Sequence, residues 1–293
     1  MTESPQCEGI GRRWRCCLNR WDHALSKNFI SFVFSALTSP GQRGAGGHGA
    51  TCWSVMRRDY LDYAADAVGF ARVELQFDPD AKQIEILQSR RKRIVLNWGR
   101  QGGKSTVVVA KAVHYAVMHA GVTIVILGGE ERHTAGFLVK VDQFLARLGW
   151  PVRGVPGLRL SRSLPNGSRF VTMTTNTGVR GETAAMVIVD EAAYVSDAVW
   201  ESMLPVLATT DGIIIVLSTP NGRKGWFYEL WRNGPGWFRS EYRADHNPRI
   251  SPQFLKEVAA MQGERFLKQE FLCEFLDDGE SALRDDDVDG LYR

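Results

Sequence analysis

The chain has 293 residues, 44% apolar and 24% charged, the balance of a globular protein with a large buried core in one large or two modest domains. A formal net charge of +3 excludes a global field for polyanions, so any nucleic-acid contact has to come from local patches. Five cysteines, four of them before Val55, carry no framework spacing and no CxxC or Cys/His zinc pattern, which predicts a reduced, cytosolic protein.

Residues 1–55 show no sustained helix or strand period. Cys16–Cys17, the stretch SPGQRGAGGHGA and scattered tryptophans interrupt any pattern. The apolar run Phe29 to Leu37 is broken by serines, too short to span a bilayer and too far from the start for a convincing signal peptide. No membrane association is expected. The segment reads as a disordered leader or the product of a start codon placed too far upstream, with a small partner-docking arm as the alternative.

Met56 opens RRDYLDYAADAVGFARV, which reads as one amphipathic helix. Beyond it, helical and apolar strand segments alternate, which predicts an α/β fold around a mostly parallel sheet. Strands are predicted at Ile94–Asn97, Val122–Leu127, Ser168–Thr174, Met186–Val189 and Ile213–Leu217. Helices are predicted at Ala81–Ser89, Ser105–His119, Arg132–Leu148, Asp197–Leu204, Gly225–Trp231 and Pro252–Met261. Several strands are β-branched and apolar throughout, as expected when helices cover both faces.

The segment IVLNWGRQGGKST, Ile94 to Thr106, passes from an apolar strand through glycines into a helix, the context of a phosphate-binding loop. Gly99, Arg100, Gln101, Gly102 and Gly103, running into Lys104, Ser105 and Thr106, form the predicted nucleotide-binding stretch. Backbone N–H groups and the helix N-terminus would face the anion, with Lys104 on the outer phosphates and the Ser105 hydroxyl on Mg²⁺. Trp98 stands where the usual pattern has its first glycine, and Gly99 comes one step late. The bland alternative is a glycine-rich turn with an incidental lysine.

A second strand, within AMVIVDEAAYV, ends in Asp190–Glu191, which places two carboxylates beside the phosphate loop of a parallel sheet. Asp190 can support the Mg²⁺ shell, and Glu191 can orient and deprotonate an attacking water. A third apolar strand ends in Ser218–Thr219–Pro220, where a small polar residue could sense the γ-phosphate, or simply exit the sheet. Arg180, flanked by glycines in Thr177–Gly181, is either a solvated loop residue or a charge aimed at phosphate or DNA. Gln83 either reads an adenine edge or is a plain surface glutamine.

Taken together these residues resemble the ATPase domain of the large terminase subunit of tailed bacteriophages. The resemblance runs from about Phe77 to Asp277 through RQGGKS, TGVRG, VIVDEAAYV, LSTPNG, GWFYELW and QEFLCEFLD. It relieves the Trp98 departure, because the first glycine is commonly missing in that family. It implies a P-loop NTPase fold of the RecA-like, ASCE type, binding ATP and Mg²⁺ and driving double-stranded DNA into a procapsid. By the same resemblance Lys104 and Ser105 hold phosphates and Mg²⁺, Asp190 is the Mg²⁺-side acid and Glu191 the catalytic carboxylate. Ser218, Thr219 and Pro220 match the coupling motif, and Gln83 the adenine-reading glutamine. Arg100 falls where a transition-state arginine is proposed; Arg180 competes for that role, as does an arginine from a neighbouring subunit. The implied partners are double-stranded DNA, a small terminase subunit, the portal of the procapsid and further copies in a ring, within the bacterial cytoplasm.

The implied organisation is a leader at 1–55, an ATPase domain at 56–277 and an acidic tail at 278–293. Full-length relatives of this kind carry a second, nuclease domain; the consecutive acids Asp285, Asp286 and Asp287 lack converging strands, so no nuclease activity is expected. Two other readings remain at this level: a helicase-like translocase, and a truncated prophage remnant that binds nucleotide without productive packaging. The basic run Arg90–Arg93 and the aromatic group Trp226, Phe227, Tyr228 and Trp231 read respectively as a solvated helix end and as core packing. His114, His119 and His133 have no ligand spacing.

Overall fold

The computed structural model describes residues 60–129, 131–155, 158–174 and 183–277. All of them belong to the second of the two units into which the chain divides, Val55–Arg293. Among these residues eight strands form one sheet: β1 (Arg93–Trp98), β2 (Thr123–Gly128), β3 (Arg153–Val155), β4 (Leu158–Ser163), β5 (Arg169–Thr174), β6 (Met186–Asp190), β7 (Ile213–Ser218) and β8 (Phe238–Tyr242). Their order across the sheet is β3-β4-β5-β2-β6-β7-β1-β8. The six strands from β5 to β8 run parallel, while β3 and β4 pair antiparallel at one edge.

Among the described residues eight α-helices accompany it: α1 (Ala67–Val73), α2 (Ala81–Gln88), α3 (Lys104–Met118), α4 (Glu131–Arg147), α5 (Asp197–Met203), α6 (Gly225–Asn233), α7 (Pro252–Gln262) and α8 (Glu264–Glu270). Strand side chains alternate between two layers, as the two-residue period of a strand demands. Ile94, Leu96 and Trp98 of β1 join one core with Ile86 of α2, Val107 and Val113 of α3 and Phe144 of α4. Val95 faces the other, with Val125, Val187 and Val189, Met203 of α5 and Phe227 of α6. Helices therefore cover both faces, and the fold is the expected α/β class. A third, smaller cluster joins Leu255 and Val258 of α7 to Leu267 of α8, Phe271 and Ala244. No helix among the described residues is long and apolar enough to cross a membrane.

Four features differ from the periodicity reading. The helix expected from Met56 is interrupted: a 3₁₀ turn at Leu61–Tyr63 precedes α1, whose N-cap Asp66 accepts from the Gly69 amide at 2.8 Å. An N-capping aspartate satisfies a helix's first free N–H groups and so starts a new helix within an amphipathic stretch. β3 has only three residues, and β4 (LRLSRS) carries just two apolar residues, which leaves little apolar alternation to read. β8 (FRSEY) keeps only Ser240 and Tyr242 buried. α8 follows α7 after the single residue Gly263, at φ 86°.

Candidate active site

The C-terminal ends of β6, β7 and β1 lie side by side. Asn97 of β1 is in register with Ser218 of β7, and Leu217 of β7 with Asp190 of β6. The loop after β1, Ser218–Thr219–Pro220 and Asp190–Glu191 therefore share the edge where open α/β sheets bind ligands. The acidic strand and the phosphate-loop strand are separated by β7, so the two motifs meet across its C-terminal end. The run Ile213–Leu217 is apolar enough to be buried on both faces, and chain order does not dictate which central position it takes.

Trp98 is the last residue of β1 and fully buried. Its ring meets Tyr242 edge-on at 5.2 Å and its Nε1 donates to Ser240 Oγ at 3.2 Å. The turn begins one residue later, at Gly99, where an added Cβ would stand 2.4 Å from the Phe271 carbonyl oxygen. Gly103 closes the loop at φ 76°, and a Cβ there would meet Gln83 Nε2 at 2.4 Å. α3 then starts with no side-chain cap, and its first backbone bond runs from Val107 N to the Gly103 carbonyl. The amides of Lys104, Ser105 and Thr106 thus stand at the positive end of a 15-residue helix, the arrangement that binds phosphate.

The loop is held from beneath. Gln83 is buried; its Oε1 accepts from Asp80 N at 3.0 Å and its Nε2 donates to the Gly102 carbonyl at 3.3 Å. Both ends of that amide are therefore engaged with α2 and the loop. Asp80 Oδ2 accepts from Arg249 at 2.6 Å and from the Tyr242 hydroxyl at 3.2 Å. Asn247 donates to the Gln101 carbonyl at 3.2 Å, and Arg249 comes within 3.9 Å of a Cβ built on Gly103. Asn247 and Arg249 were invisible to motif reading, since an NPR tripeptide signals only a turn.

Asp190 is buried, and burial with the adjacent Glu191 charge pushes its carboxyl up to about 6, against the pull of Lys104 and Lys140. Lys140 of α4 is the basic group that the sequence reading missed. It lies on the helix stripe of Phe137, Val141 and Phe144, and a lysine at an apolar period was the available signal. Glu191 sits in the left-handed region at φ 50° and ψ 44°, its amide donating to Asp190 Oδ1 at 3.1 Å. A non-glycine residue there is strained by about 1–3 kcal/mol, a cost met most often at functional sites. Ser218 Oγ accepts from Ala193 N at 3.2 Å, which ties the acidic turn to the end of β7.

Arg100 Nε donates to Glu270 Oε2 at 2.7 Å, and that bond chiefly raises its pKa. Thr219 and Pro220 are both buried. Arg180 and the rest of Thr177–Gly181 lie outside the described residues, as do residues 1–55 and the acids at 285–287. The basic run leads into the opposite end of β1: Lys92 pairs with Asp211, and Arg93 donates to the Gly212 carbonyl at 2.7 Å. Trp226 stacks on Trp200 at 4.1 Å and donates to the Val195 carbonyl. His114 bonds the Tyr63 carbonyl, and burial lowers its pKa.

A parallel sheet with a glycine loop entering a helix at one strand end, and paired acids two strands away, defines the P-loop NTPase class. Residues 95–288 match the family described as terminase large subunit, T4likevirus-type, N-terminal, and the chain belongs to it. It is 30% identical over 185 residues to the terminase large subunit of Thermus phage G20c, across 55% of this chain and 38% of that protein. The chain thus spans well under half the length of this curated relative. The large terminase ATPase domain of Thermus phage P74-26 is similar in fold, with TM-score 0.61 and 24% identity over 70% of this chain and 97% of that one. The large terminase of a thermophilic bacteriophage in complex with ATP-gamma-S gives TM-score 0.58 and 14% identity, covering 67% and 52%.

Proposed function

We propose that this chain hydrolyses ATP as the motor part of a large terminase, coupling turnover to movement of double-stranded DNA into a procapsid. One observation carries the reading: the phosphate loop, Ser218–Thr219 and Asp190–Glu191 meet at adjoining strand ends. Lys104 and the free amides at the start of α3 bind and orient the phosphates. The Ser105 hydroxyl and the Asp190 carboxylate are hard oxygen donors that fit Mg²⁺. When bound, the ion neutralises charge on the phosphate oxygens. A buried acid whose carboxyl is pushed up to about 6 by burial and the Glu191 charge gains from a bound cation, which suits that place. Glu191, placed in its left-handed turn just after Asp190, takes the proton of the attacking water. Arg100 is the cis candidate for stabilising charge on the transferred group, and Arg180 the alternative. Double-stranded DNA, a small terminase subunit, the portal and a homo-oligomeric ring in the host cytoplasm are the partners this reading carries.

Phosphate release by the full chain and by Glu191→Gln, with and without Mg²⁺ and with duplex or single-stranded DNA, tests it. Removing an oriented catalytic group costs about 10² or more in rate. Slow Mg²⁺-dependent turnover that Glu191→Gln abolishes and duplex DNA accelerates is expected. Stimulation by single strands alone would favour a helicase-like translocase, and turnover equal to the variant's would favour a nucleotide-binding remnant.

A further inference from the structure

Glu270, the last residue of α8, lies in the QEFLCEFLD segment and has been given no role so far, yet it touches two of the other motifs. Its side chain is 5% exposed, while that of its partner Arg100 is 57% exposed. Oε2 accepts from Arg100 Nε at 2.7 Å and also from Thr219 Oγ1 at 3.1 Å. The main chain repeats the link, with Arg100 N donating to the Glu270 carbonyl at 2.7 Å. Two more contacts make the following residues the floor of the loop: Phe271 O closes on Gly99, and Asn97 Nδ2 donates to Cys273 O at 2.9 Å.

We propose that Glu270 is a positioning residue whose single carboxylate oxygen joins Arg100 of the phosphate loop to Thr219 at the end of β7, so that the two move as one unit. A carboxylate buried this deeply needs a cation and hydrogen-bond donors, and these two side chains supply them. Arg100, pinned through Nε, also feels the charge of Glu191. Tyr194 belongs to the same neighbourhood, since Glu270 and Glu191 both act on its phenol. The shared oxygen gives a change at the phosphate loop a direct path to the segment following β7. The inference rests on the ATPase reading for its kinetic arm only.

The test uses the full chain with Glu270→Gln, Glu270→Asp, Arg100→Ala and the Arg100→Ala/Glu270→Gln pair, measured for kcat, KM and ADP affinity. Misplacing a catalytic group by about 1 Å costs roughly 10²-fold. A fall in kcat of about 10- to 100-fold is expected for both Glu270 variants, with ADP affinity held within about 3-fold. In the Arg100→Ala background Glu270→Gln should add almost nothing, because the pair acts as one unit. Wild-type kcat in Glu270→Gln, or a loss that multiplies fully with that of Arg100→Ala, overturns the proposal. A merely structural ion pair would lower ADP affinity and thermal stability and leave kcat in place. Amide exchange with ADP gives a readout free of turnover. The segment 218–222 should slow in the wild type and not in Glu270→Gln; equal slowing in both, or none in the wild type, also overturns it. If the wild type releases no more phosphate than Glu191→Gln, the ATPase reading fails and the exchange result still decides the link.

Discussion

Trp98 occupies the place where a phosphate loop ordinarily opens with glycine, and its surroundings account for the exchange. The residue still belongs to β1, so it needs an extended backbone and a side chain that fills the core, and Gly99 takes over the close approach. Restoring the pattern with Trp98→Gly should therefore harm the protein. Truncating a buried tryptophan costs about 3–5 kcal/mol, and glycine in a strand adds up to about 1 more. Urea unfolding should show a loss of that size; an unchanged or raised midpoint would mean that the ring packs against nothing that matters. Glu191 illustrates the opposite case, a non-glycine residue held in a backbone region its side chain disfavours.

At the scale of the element, α2 matters more for its first turn than for its length. Asp80 and Gln83 form a reciprocal capping box, each side chain bonding the other's amide. The same Gln83 side chain presses on the Gly102 carbonyl, and the same Asp80 holds Arg249 and Tyr242. The helix cap is thus also the foundation of the phosphate loop. Asp80→Ala should cost about 1–2 kcal/mol in unfolding free energy, as loss of an N-cap does. Asp80→Asn, which keeps an acceptor for the Gln83 amide, should recover most of that in the same thermal or urea measurement. Equal losses in the two variants would show that the ion pair to Arg249, not the cap, carries the effect.

The whole molecule feels Asp190 through its pH dependence. A value near 6 in the folded state against an ordinary 3.8 means that the fold holds this proton more tightly than the unfolded chain. Stability contributed here is present below about pH 4, declines as pH rises towards 6, and is absent above it. That span corresponds to at most about 3 kcal/mol. Asp190→Asn removes the titration, so unfolding free energies measured between pH 4 and 7 should show the wild type losing stability relative to the variant as pH rises. A constant difference between them would show that Asp190 ionises normally. Lys104 and Lys140, from α3 and α4, are the charges that keep the shift moderate.

Much of this protein was legible in the chain alone, because some of its information is local. Strands β1, β2, β5, β6 and β7 announce themselves by apolar runs, and Lys104, Asp190–Glu191 and Ser218–Thr219 by their places at strand ends. The class of fold follows from the alternation of those runs with helical periods. What only the tertiary structure decided depends on contacts between residues far apart in sequence. Strand order is one, since β7 separates the two motif strands and β8 takes the far side of β1. The floor of the loop is another: Asn247 and Glu270 lie 146 and 170 residues from Gln101 and Arg100, the loop positions they hold, and Arg249 lies 169 from the Asp80 cap beneath it. Neither period nor motif gives such residues that role, even where one lies within a motif as Glu270 does, because a side chain that supports another is selected by reach and charge through space, and the sequence records only its type.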